Sequence, residues 1–239
     1  MITIYWVGDS TVQHNGILTY PQTGIGQGLE RFINKQNVRI ENHAKNGRST
    51  KSFLEEGRFA PVCQRMQPGD FLFIQFGHND QKQEDPARYA PADTVYADNL
   101  RLFIRAAKQR GAKPVLITPV TRCNYRQLPP ERQFAPWVAA MKQVGEETDT
   151  PVLDLTRLSE ALVDDMGDEA APQLYMTLPA GVFGNYPEGL SDKTHLQPMG
   201  ALYFAALLAG MLREQGEGYA ALLSEECIRW LDSGKPLPV

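Results

Sequence analysis

The alternation of strand-like and helix-like segments is the feature that most constrains the fold of this 239-residue chain. Residues 71–76 form a nearly continuous apolar run, which is typical of a strand covered on both faces. Residues 96–110 repeat apolar side chains at helical spacing, and Gly111 follows as a helix-ending residue. Strands separated by helices predict βαβ units, a central parallel sheet and helices on both faces.

The same patterns predict the remaining elements. Further strands are expected at residues 2–7, 38–42, 114–118 and 152–155, and further helices at 26–33, 49–56, 134–148, 156–166 and 198–215. Apolar residues make up 42% of the chain and charged residues 22%, which is ordinary for a globular protein. Since no repeat or linker-like segment divides the chain, we predict one α/β domain over residues 1–239.

Charge and apolar runs exclude several classes of partner. The chain has 24 Lys and Arg against 28 Asp and Glu, a net charge of −4 with no basic stripe, so we expect no nucleic acid partner. The longest apolar stretch, residues 201–212, is well short of the roughly 20 residues that span a bilayer, so we expect no membrane partner. Cys63, Cys123 and Cys227 lie far apart and are predicted to be buried or idle thiols rather than a disulfide framework or a zinc site.

Four polar segments follow predicted strands or precede the last long helix. Residues 8–11, 42–49 and 77–81 each follow one of the first three predicted strands, and residues 191–195 come just before the helix at 198. Functional groups gather at the carboxyl ends of the strands in sheets of this kind. We therefore expect the four segments to build one active site.

The residues in these segments suit ester hydrolysis, which needs a nucleophile, a base, an orienting carboxylate and donors for an oxyanion. Ser10, at a strand-to-helix turn, is the candidate nucleophile, and His195 is the candidate base. Asp192 lies three residues earlier in a predicted loop, from which its carboxylate can reach the imidazole. The candidate oxyanion donors are the backbone N–H groups of Ser10 and Gly47 and the side-chain amide of Asn79.

Each motif has an ordinary explanation when it is taken alone. Gly-Asp-Ser is usually a turn, Asp-x-x-His is more often a helix cap or a surface pair, and Gly-His-Asn-Asp can be an Asx-rich turn. Their occurrence together, in this order, favours an enzyme over a non-catalytic carbohydrate-binding protein, because a binding protein has no need for Ser10, Asp192 and His195 together. A nucleotide-binding or signalling domain would require a phosphate-cradling glycine-rich loop after the first strand, which residues 8–11 do not offer.

Other residues near the motifs have competing interpretations. His78 could contact the substrate or brace the oxyanion loop, and the alternative is a hydrogen bond that stabilises its own loop. Asp9 is expected to order the turn that carries the nucleophile, while His14 and His43 are expected to be structural or exposed.

No pair of metal-ligating residues stands at helical spacing, so we expect neither a metal nor another cofactor. Gly24-x-Gly26-x-Gly28 has the wrong spacing for a dinucleotide loop and is predicted to be a helix entry.

Together the motifs resemble those of the SGNH (GDSL-type) hydrolases, and the resemblance spans residues 4–200. It implies a flavodoxin-like three-layer α/β/α fold with a central parallel sheet and a serine esterase mechanism without a metal. Ser10, Asp192 and His195 match the family's catalytic triad. Ser10, Gly47 and Asn79 match its oxyanion hole.

Details of the motifs are similar to the rhamnogalacturonan acetylesterase branch of that family. These are Gly-Asp-Ser-Thr, Asn-x-Ala-x-x-Gly-Arg-Ser, Gln-Phe-Gly-His-Asn-Asp and Asp-x-Thr-His-Leu. The resemblance implies removal of acetyl groups from pectin fragments; the alternatives are another sugar acetylesterase, a lipase or a thioesterase. Asn46 departs from the glycine that often precedes Gly47. The sequence shows no secretion leader, so we expect a cytoplasmic enzyme acting on imported oligosaccharides, unless a leader has been removed.

A pectin-derived substrate would bring negative charge to a protein that is itself negative. We expect one or two loop cations to pair with a substrate carboxylate, which Arg can hold through two hydrogen bonds. The candidates are Arg48, Lys51, Lys82, Arg88, Arg122 and Arg126. The loops at about 77–94, 119–133 and 177–191 are expected to shape the cleft.

Overall fold

The computed structural model describes residues 1–129 and 133–235, and a five-stranded parallel sheet lies at its centre. The strands are β1 (Ile2–Gly8), β2 (Val38–Asn42), β3 (Phe71–Gln75), β4 (Lys113–Ile117) and β5 (Val152–Leu153). Their order is β2-β1-β3-β4-β5, and every neighbouring pair is parallel. This is the strand order of flavodoxin-like sheets, so the predicted fold class is confirmed.

Helices connect the strands and extend beyond the last of them. They are α1 (Ile25–Leu29), α2 (Thr50–Glu55), α3 (Phe59–Arg65), α4 (Ala97–Gln109), α5 (Ala135–Glu147), α6 (Leu155–Ala170), α7 (Pro198–Glu214), α8 (Glu217–Ala220) and α9 (Glu225–Ser233). A π-helical turn precedes α4, and α6 is broken at Gly167, where φ is 70° and ψ is 178°. In the described part of the chain, no helix has the length and apolar character needed to cross a membrane.

Two apolar cores lie on opposite faces of the sheet because successive strand side chains point to opposite sides. On β1, Ile4 and Trp6 belong to one core, whereas Tyr5 and Val7 belong to the other. The first core is covered by α1, α6, α7 and α9, and the second by α2, α3, α4 and α5. The molecule therefore has three layers, with the sheet in the middle.

The helix entry predicted from Gly24-x-Gly26-x-Gly28 is confirmed. Gly24 is the N-cap residue of α1, and its backbone N–H donates to the side chain of Gln27 at 3.1 Å. Gly28 lets α1 approach α7 closely, since a Cβ at this position would lie 2.3 Å from the carbonyl oxygen of Ala201. The predicted extension of this helix to residue 33 is wrong, because the chain leaves the helix after Leu29 to form an antiparallel bridge between Ile33 and Leu223.

The turn that carries Ser10 does not lead directly into a helix, contrary to expectation. Val12 and Gln13 donate from their backbone N–H groups to the carbonyl of Asp9, which closes one tight turn. The chain then runs through residues 14–24 before α1 begins. Ser10 therefore lies in a tight turn that is followed by a loop and not by a helix.

A second sheet, an antiparallel hairpin of β6 (Tyr175–Leu178) and β7 (Leu190–Leu196), precedes α7. The predicted loop at residues 191–195 is therefore wrong, since these residues lie in β7. The strand is nevertheless irregular: Tyr175 pairs with Leu196 and Thr177 pairs with Ser191, so that residues 192–195 stand opposite a single residue of β6. This bulge pushes the Asp-x-x-His segment out of regular pairing.

Candidate active site

The loops after β1, β2 and β3 are tied together at the carboxyl edge of the sheet. The backbone N–H of Lys45 donates to the carbonyl of Gly8 at 3.0 Å, which holds the second loop against the end of β1. The side-chain amide of Asn79 donates to the carbonyl of Arg48 at 3.0 Å, which joins the third loop to the second. These bonds bring the predicted segments to one place, as expected for the edge of a parallel sheet.

Ser10, His195 and Asp192 form a continuous chain of hydrogen bonds. Oγ of Ser10 lies 2.9 Å from Nε2 of His195, and Nδ1 of His195 lies 2.6 Å from Oδ2 of Asp192. An ionised carboxylate can only accept, so Nδ1 carries the proton and Nε2 is left to accept from the Ser10 hydroxyl. This tautomer is the one in which histidine can act as a general base toward serine.

The bulge in β7 holds the Asp192 carboxylate in its ionised form. Oδ1 of Asp192 accepts the backbone N–H groups of Thr194 at 2.8 Å and His195 at 3.1 Å. Partial burial acts to raise the pKa of this carboxyl, but the hydrogen bonds and the charge of His195 outweigh it and bring the pKa to about 2. Asp192 is therefore ionised and fixed in orientation at neutral pH.

Three N–H groups are placed as candidate oxyanion donors. In residues 1–129 and 133–235, the backbone N–H groups of Ser10 and Gly47 donate to no protein acceptor. Gly47 has a backbone φ of +76°, a conformation that residues other than glycine rarely adopt. Asn79 uses one amide hydrogen on Arg48 and has a second one left to offer. Asn79 lines the same cleft as Ser10, whereas Gly47 is not among the residues that line it.

Two buried aspartates stabilise these loops through hydrogen bonds. Oδ1 of Asp9 accepts both the backbone N–H of Thr11 at 2.9 Å and its hydroxyl at 2.8 Å, which orders the turn around Ser10. Oδ1 of Asp80 accepts the backbone N–H of Thr50 at 2.8 Å and its hydroxyl at 2.6 Å, which ties the start of α2 to the third loop. Burial raises the pKa of Asp9, and it raises the pKa of Asp80 to about 7 against the opposing hydrogen bonds.

His78 makes the loop-stabilising bond and also lines the cleft. Its Nε2 lies 3.0 Å from the carbonyl of Val120, and since a carbonyl only accepts, Nε2 carries the proton. The ring packs edge-on against Phe134 with 4.6 Å between centroids. Burial lowers the pKa of His78 well below its ordinary value, and the charge of Arg122 adds to this effect, so the imidazole is neutral.

Ser10 opens into a cleft of about 930 Å³. The other residues that line it are His78, Asn79, Gln81, Lys82, Gln83, Glu84, Arg122, Asn124, Leu128, Ser191, Asp192, Lys193, Thr194 and His195. Two of the three loops expected to shape the cleft contribute most of its wall. The 177–191 loop contributes Ser191 alone, and residues 130–132 of the 119–133 loop lie outside the described residues.

The structure separates the six candidate loop cations into two groups. Lys82 and Arg122 line the cleft. The side chains of the other four contact protein groups outside the cleft lining: Arg48 with Glu56, Lys51 with the carbonyl of Pro86, Arg88 with Asp85 and Arg126 with Asp164. Arg48, a candidate substrate residue, also donates to the carbonyl of Asn46 at 2.9 Å and so braces its own loop.

Sequence reasoning did not single out Lys193, a further cation in the cleft. Its position inside the Asp-x-x-His segment was the available signal.

The three cysteines are free thiols, with Cys227 buried and the other two partly buried. Among the residues that the structure describes, no group of three or more His, Cys, Asp or Glu side chains is placed to hold a metal ion.

Comparison with known proteins places this site in a family. A family model described as "GDSL-like Lipase/Acylhydrolase family" matches residues 6–201, and the four active-site segments fall within that range. The chain belongs to this family. The resemblance stated from the motifs is confirmed by this match and by the relatives described next.

Individual GDSL-like relatives are similar over nearly the whole chain. Rhamnogalacturonan acetylesterase RhgT of Bacillus subtilis is 35% identical over 90% of this chain and 91% of its own length. Probable rhamnogalacturonan acetylesterase YesY of the same organism is 37% identical over 89% and 93%. The crystal structure of the B. subtilis protein YxiM superposes with a TM-score of 0.76 at 28% identity, covering 90% of this chain but only 57% of that one.

Proposed function

We propose that this GDSL-like protein is a serine esterase that removes acetyl groups from carbohydrate, with acetylated rhamnogalacturonan oligosaccharides as substrate. The observation that carries the proposal is the hydrogen-bonded chain from Ser10 through His195 to Asp192 at the wall of an open cleft. The substrate assignment is supported by the relatives RhgT and YesY, whose names give that activity.

Acylation begins at the Ser10 hydroxyl. Its Oγ attacks the acetyl carbonyl carbon while Nε2 of His195 takes the hydroxyl proton, and the ionised Asp192 stabilises the imidazolium that forms. The negative charge that develops on the carbonyl oxygen accepts hydrogen bonds from the N–H groups of Ser10, Gly47 and Asn79. When the tetrahedral intermediate collapses, the bond to the sugar oxygen breaks and His195 returns its proton to that oxygen, which leaves as a hydroxyl.

Deacylation repeats these steps with water. His195 takes a proton from a water molecule that attacks the acetyl group on Ser10, and the same oxyanion donors stabilise the second tetrahedral intermediate. Collapse breaks the bond to Oγ, the proton passes from Nε2 to the serine, and acetic acid leaves, which ionises to acetate and a proton. The tautomer of His195 that donates from Nδ1 to Asp192 is the form that both half-reactions need.

Acetate release from acetylated rhamnogalacturonan oligosaccharides tests the proposal. The comparison is between the wild type, Ser10→Ala and Ser233→Ala, an exposed serine at the end of α9 that serves as the matched control. Acetylated xylan and a medium-chain ester are the control substrates. We expect release from the pectin fragments that Ser10→Ala abolishes and Ser233→Ala preserves.

Other outcomes would contradict particular parts of the proposal. Release only from xylan or from the medium-chain ester would keep Ser10 as nucleophile and overturn the pectin assignment. Full activity in Ser10→Ala would remove Ser10 from the mechanism. No release from any ester by folded protein would favour a carbohydrate-binding role.

A further inference from the structure

We propose that Lys82 and Arg122 form an anion-binding subsite beside Ser10 that selects acetylated oligosaccharides carrying a carboxylate on a neighbouring sugar. The inference rests on the proposed esterase function, and it assigns the residues that would make that function specific for acidic substrates. Both side chains line the cleft that Ser10 and His195 open into.

The two cations come from different loops, each tied to a different part of the active site. Lys82 lies three residues after Asn79, the candidate oxyanion donor. Its backbone N–H donates to the carbonyl of Asn79 at 3.2 Å, which ties the two residues together in one turn. The backbone N–H of Cys123 donates to the carbonyl of Lys193 at 2.9 Å, which fixes the residue after Arg122 to the bulge that carries His195. A substrate bound at Ser10 therefore has one cation on each of two loops around it.

Arg122 is held in a defined orientation. Its guanidinium carbon lies 4.7 Å from the centroid of the Phe134 ring, and Phe134 is buried and packs edge-on against His78. Stacking on the ring restricts the orientation of the guanidinium plane, and a planar guanidinium can recognise a carboxylate through two parallel hydrogen bonds. An arginine fixed in this way loses less conformational freedom when it binds an anion.

The charges around Lys82 favour a bound anion. Partial burial lowers the pKa of Lys82, and the positive charges of Arg88 and Arg122 lower it further, while Glu84 and Asp85 act in the opposite direction. The charge of Arg122 also opposes the rise that burial causes in the pKa of Asp9 and adds to the lowering that burial causes in the pKa of His78, so it reaches the loop that carries Ser10. A carboxylate placed between Lys82 and Arg122 would relieve their repulsion. Among the residues that line the cleft, Lys82, Arg122 and Lys193 outnumber Glu84 and Asp192, in a chain whose net charge is −4.

A matched pair of substrates tests the subsite. One is acetylated rhamnogalacturonan oligosaccharide, and the other is the same material after its uronate carboxyls have been reduced to hydroxymethyl groups. We expect the wild type to favour the acidic form in kcat/KM by about tenfold or more, the effect of one charge-assisted contact, and to do so through KM. Raising the ionic strength should shrink this preference.

Variants then assign the preference to residues. The ratio of kcat/KM for the acidic over the reduced substrate should fall toward one in the double variant Lys82→Gln/Arg122→Gln, while Lys82→Arg should keep most of it. The matched control is Arg126→Gln, which removes one charge from the same loop but from a guanidinium paired with Asp164. It should keep the wild-type ratio.

A second measurement does not depend on which acetyl ester is the substrate. Native and carboxyl-reduced oligosaccharides without acetyl groups are compared as competitive inhibitors of p-nitrophenyl acetate hydrolysis. The native form should inhibit the wild type about tenfold more strongly than the reduced form, and Lys82→Gln and Arg122→Gln should each diminish that difference. If neither acetylated oligosaccharide releases acetate, the pectin assignment fails while this assay still tests the subsite. Equal inhibition of the wild type by the two forms, or a preference that survives in the double variant, would overturn the subsite.

Discussion

Replacing Asp80 with asparagine should remove a pH dependence from the stability of the fold. Asp80 is fully buried; its Oδ1 accepts two hydrogen bonds from Thr50, and its Oδ2 has no hydrogen-bond partner in the described residues. Burial raises its pKa from 3.8 to about 7. An asparagine at this position would keep an acceptor oxygen for Thr50 but could not ionise. The substitution therefore separates the effect of protonation on stability from the effect of the hydrogen bonds to Thr50.

The size of the effect follows from the two pKa values. Between pH 3.8 and 7 the unfolded chain has released this proton and the folded chain has kept it, so the free energy of unfolding falls as the pH rises. The difference of about 3 pKa units, at about 1.4 kcal/mol per unit, gives an upper value of about 4 kcal/mol. This contribution is fully present below pH 3.8 and is lost as the pH passes through 7.

His78 has an effect of opposite sign in a similar range, so the comparison must be a difference between two proteins. Because its pKa is lowered well below 6.5 in the folded state, the unfolded chain takes up a proton first and stability is lost as the pH falls below 6.5. Both the wild type and Asp80→Asn contain His78, so its contribution cancels in their difference.

Urea unfolding at several pH values from 4 to 7 measures that difference. The free energy of unfolding of Asp80→Asn should rise relative to the wild type across this range, by up to about 4 kcal/mol. Asp93→Asn, a change at an exposed aspartate, should show no such trend. Parallel pH curves for the wild type and Asp80→Asn would refute the inference that Asp80 is protonated in the folded protein.

Asp80→Ala additionally leaves the Thr50 N–H without its acceptor, which should lower the free energy of unfolding by about 1–3 kcal/mol at every pH.

Two substitutions test the chemistry directly through the kcat for acetate release. Asp192→Asn should lower kcat severely, up to roughly 10⁴-fold, because the amide no longer favours the histidine tautomer that accepts from Ser10, and a loss under tenfold would argue against this role. Asn79→Ala should lower kcat about 10²–10³-fold if its amide is an oxyanion donor, and an unchanged kcat would remove it from the mechanism.

The central sheet could be predicted because its strands have local signals. Phe71–Gln75 is apolar throughout except for its last residue and is buried on both faces, and a turn with a glycine follows it. Helix α9 also had signals that were not used, since Ser224 caps its start and Gly234 ends it in the left-handed conformation. Helix α3 had a weaker signal, because Pro61 lies in its first turn, where proline is tolerated but also typical of loops.

The hairpin that carries Asp192 and His195 could not be predicted in the same way. β7 is mostly polar and only partly buried, so it lacks the apolar alternation by which a strand is recognised. Its pairing depends on β6, which lies across the intervening loop of residues 179–189. The spacing of Asp192 and His195 predicted which groups meet, while the bulge that makes them meet is set by tertiary pairing.

The charge of the cleft illustrates a different limit, because it depends on how ion pairs are distributed and not on composition. The sequence offers six loop cations with equal claims, yet Glu56, Asp85 and Asp164 hold three of them away from the cleft lining. Asp85 is only three residues from Arg88, but Glu56 and Asp164 lie 8 and 38 residues along the chain from their arginines, where local sequence patterns do not reveal the pairing. Lys82 and Arg122, by contrast, are among the residues that line the cleft. Selectivity for an acidic sugar would then be set partly by acidic residues that never touch the substrate, through the cations that they withhold from the cleft.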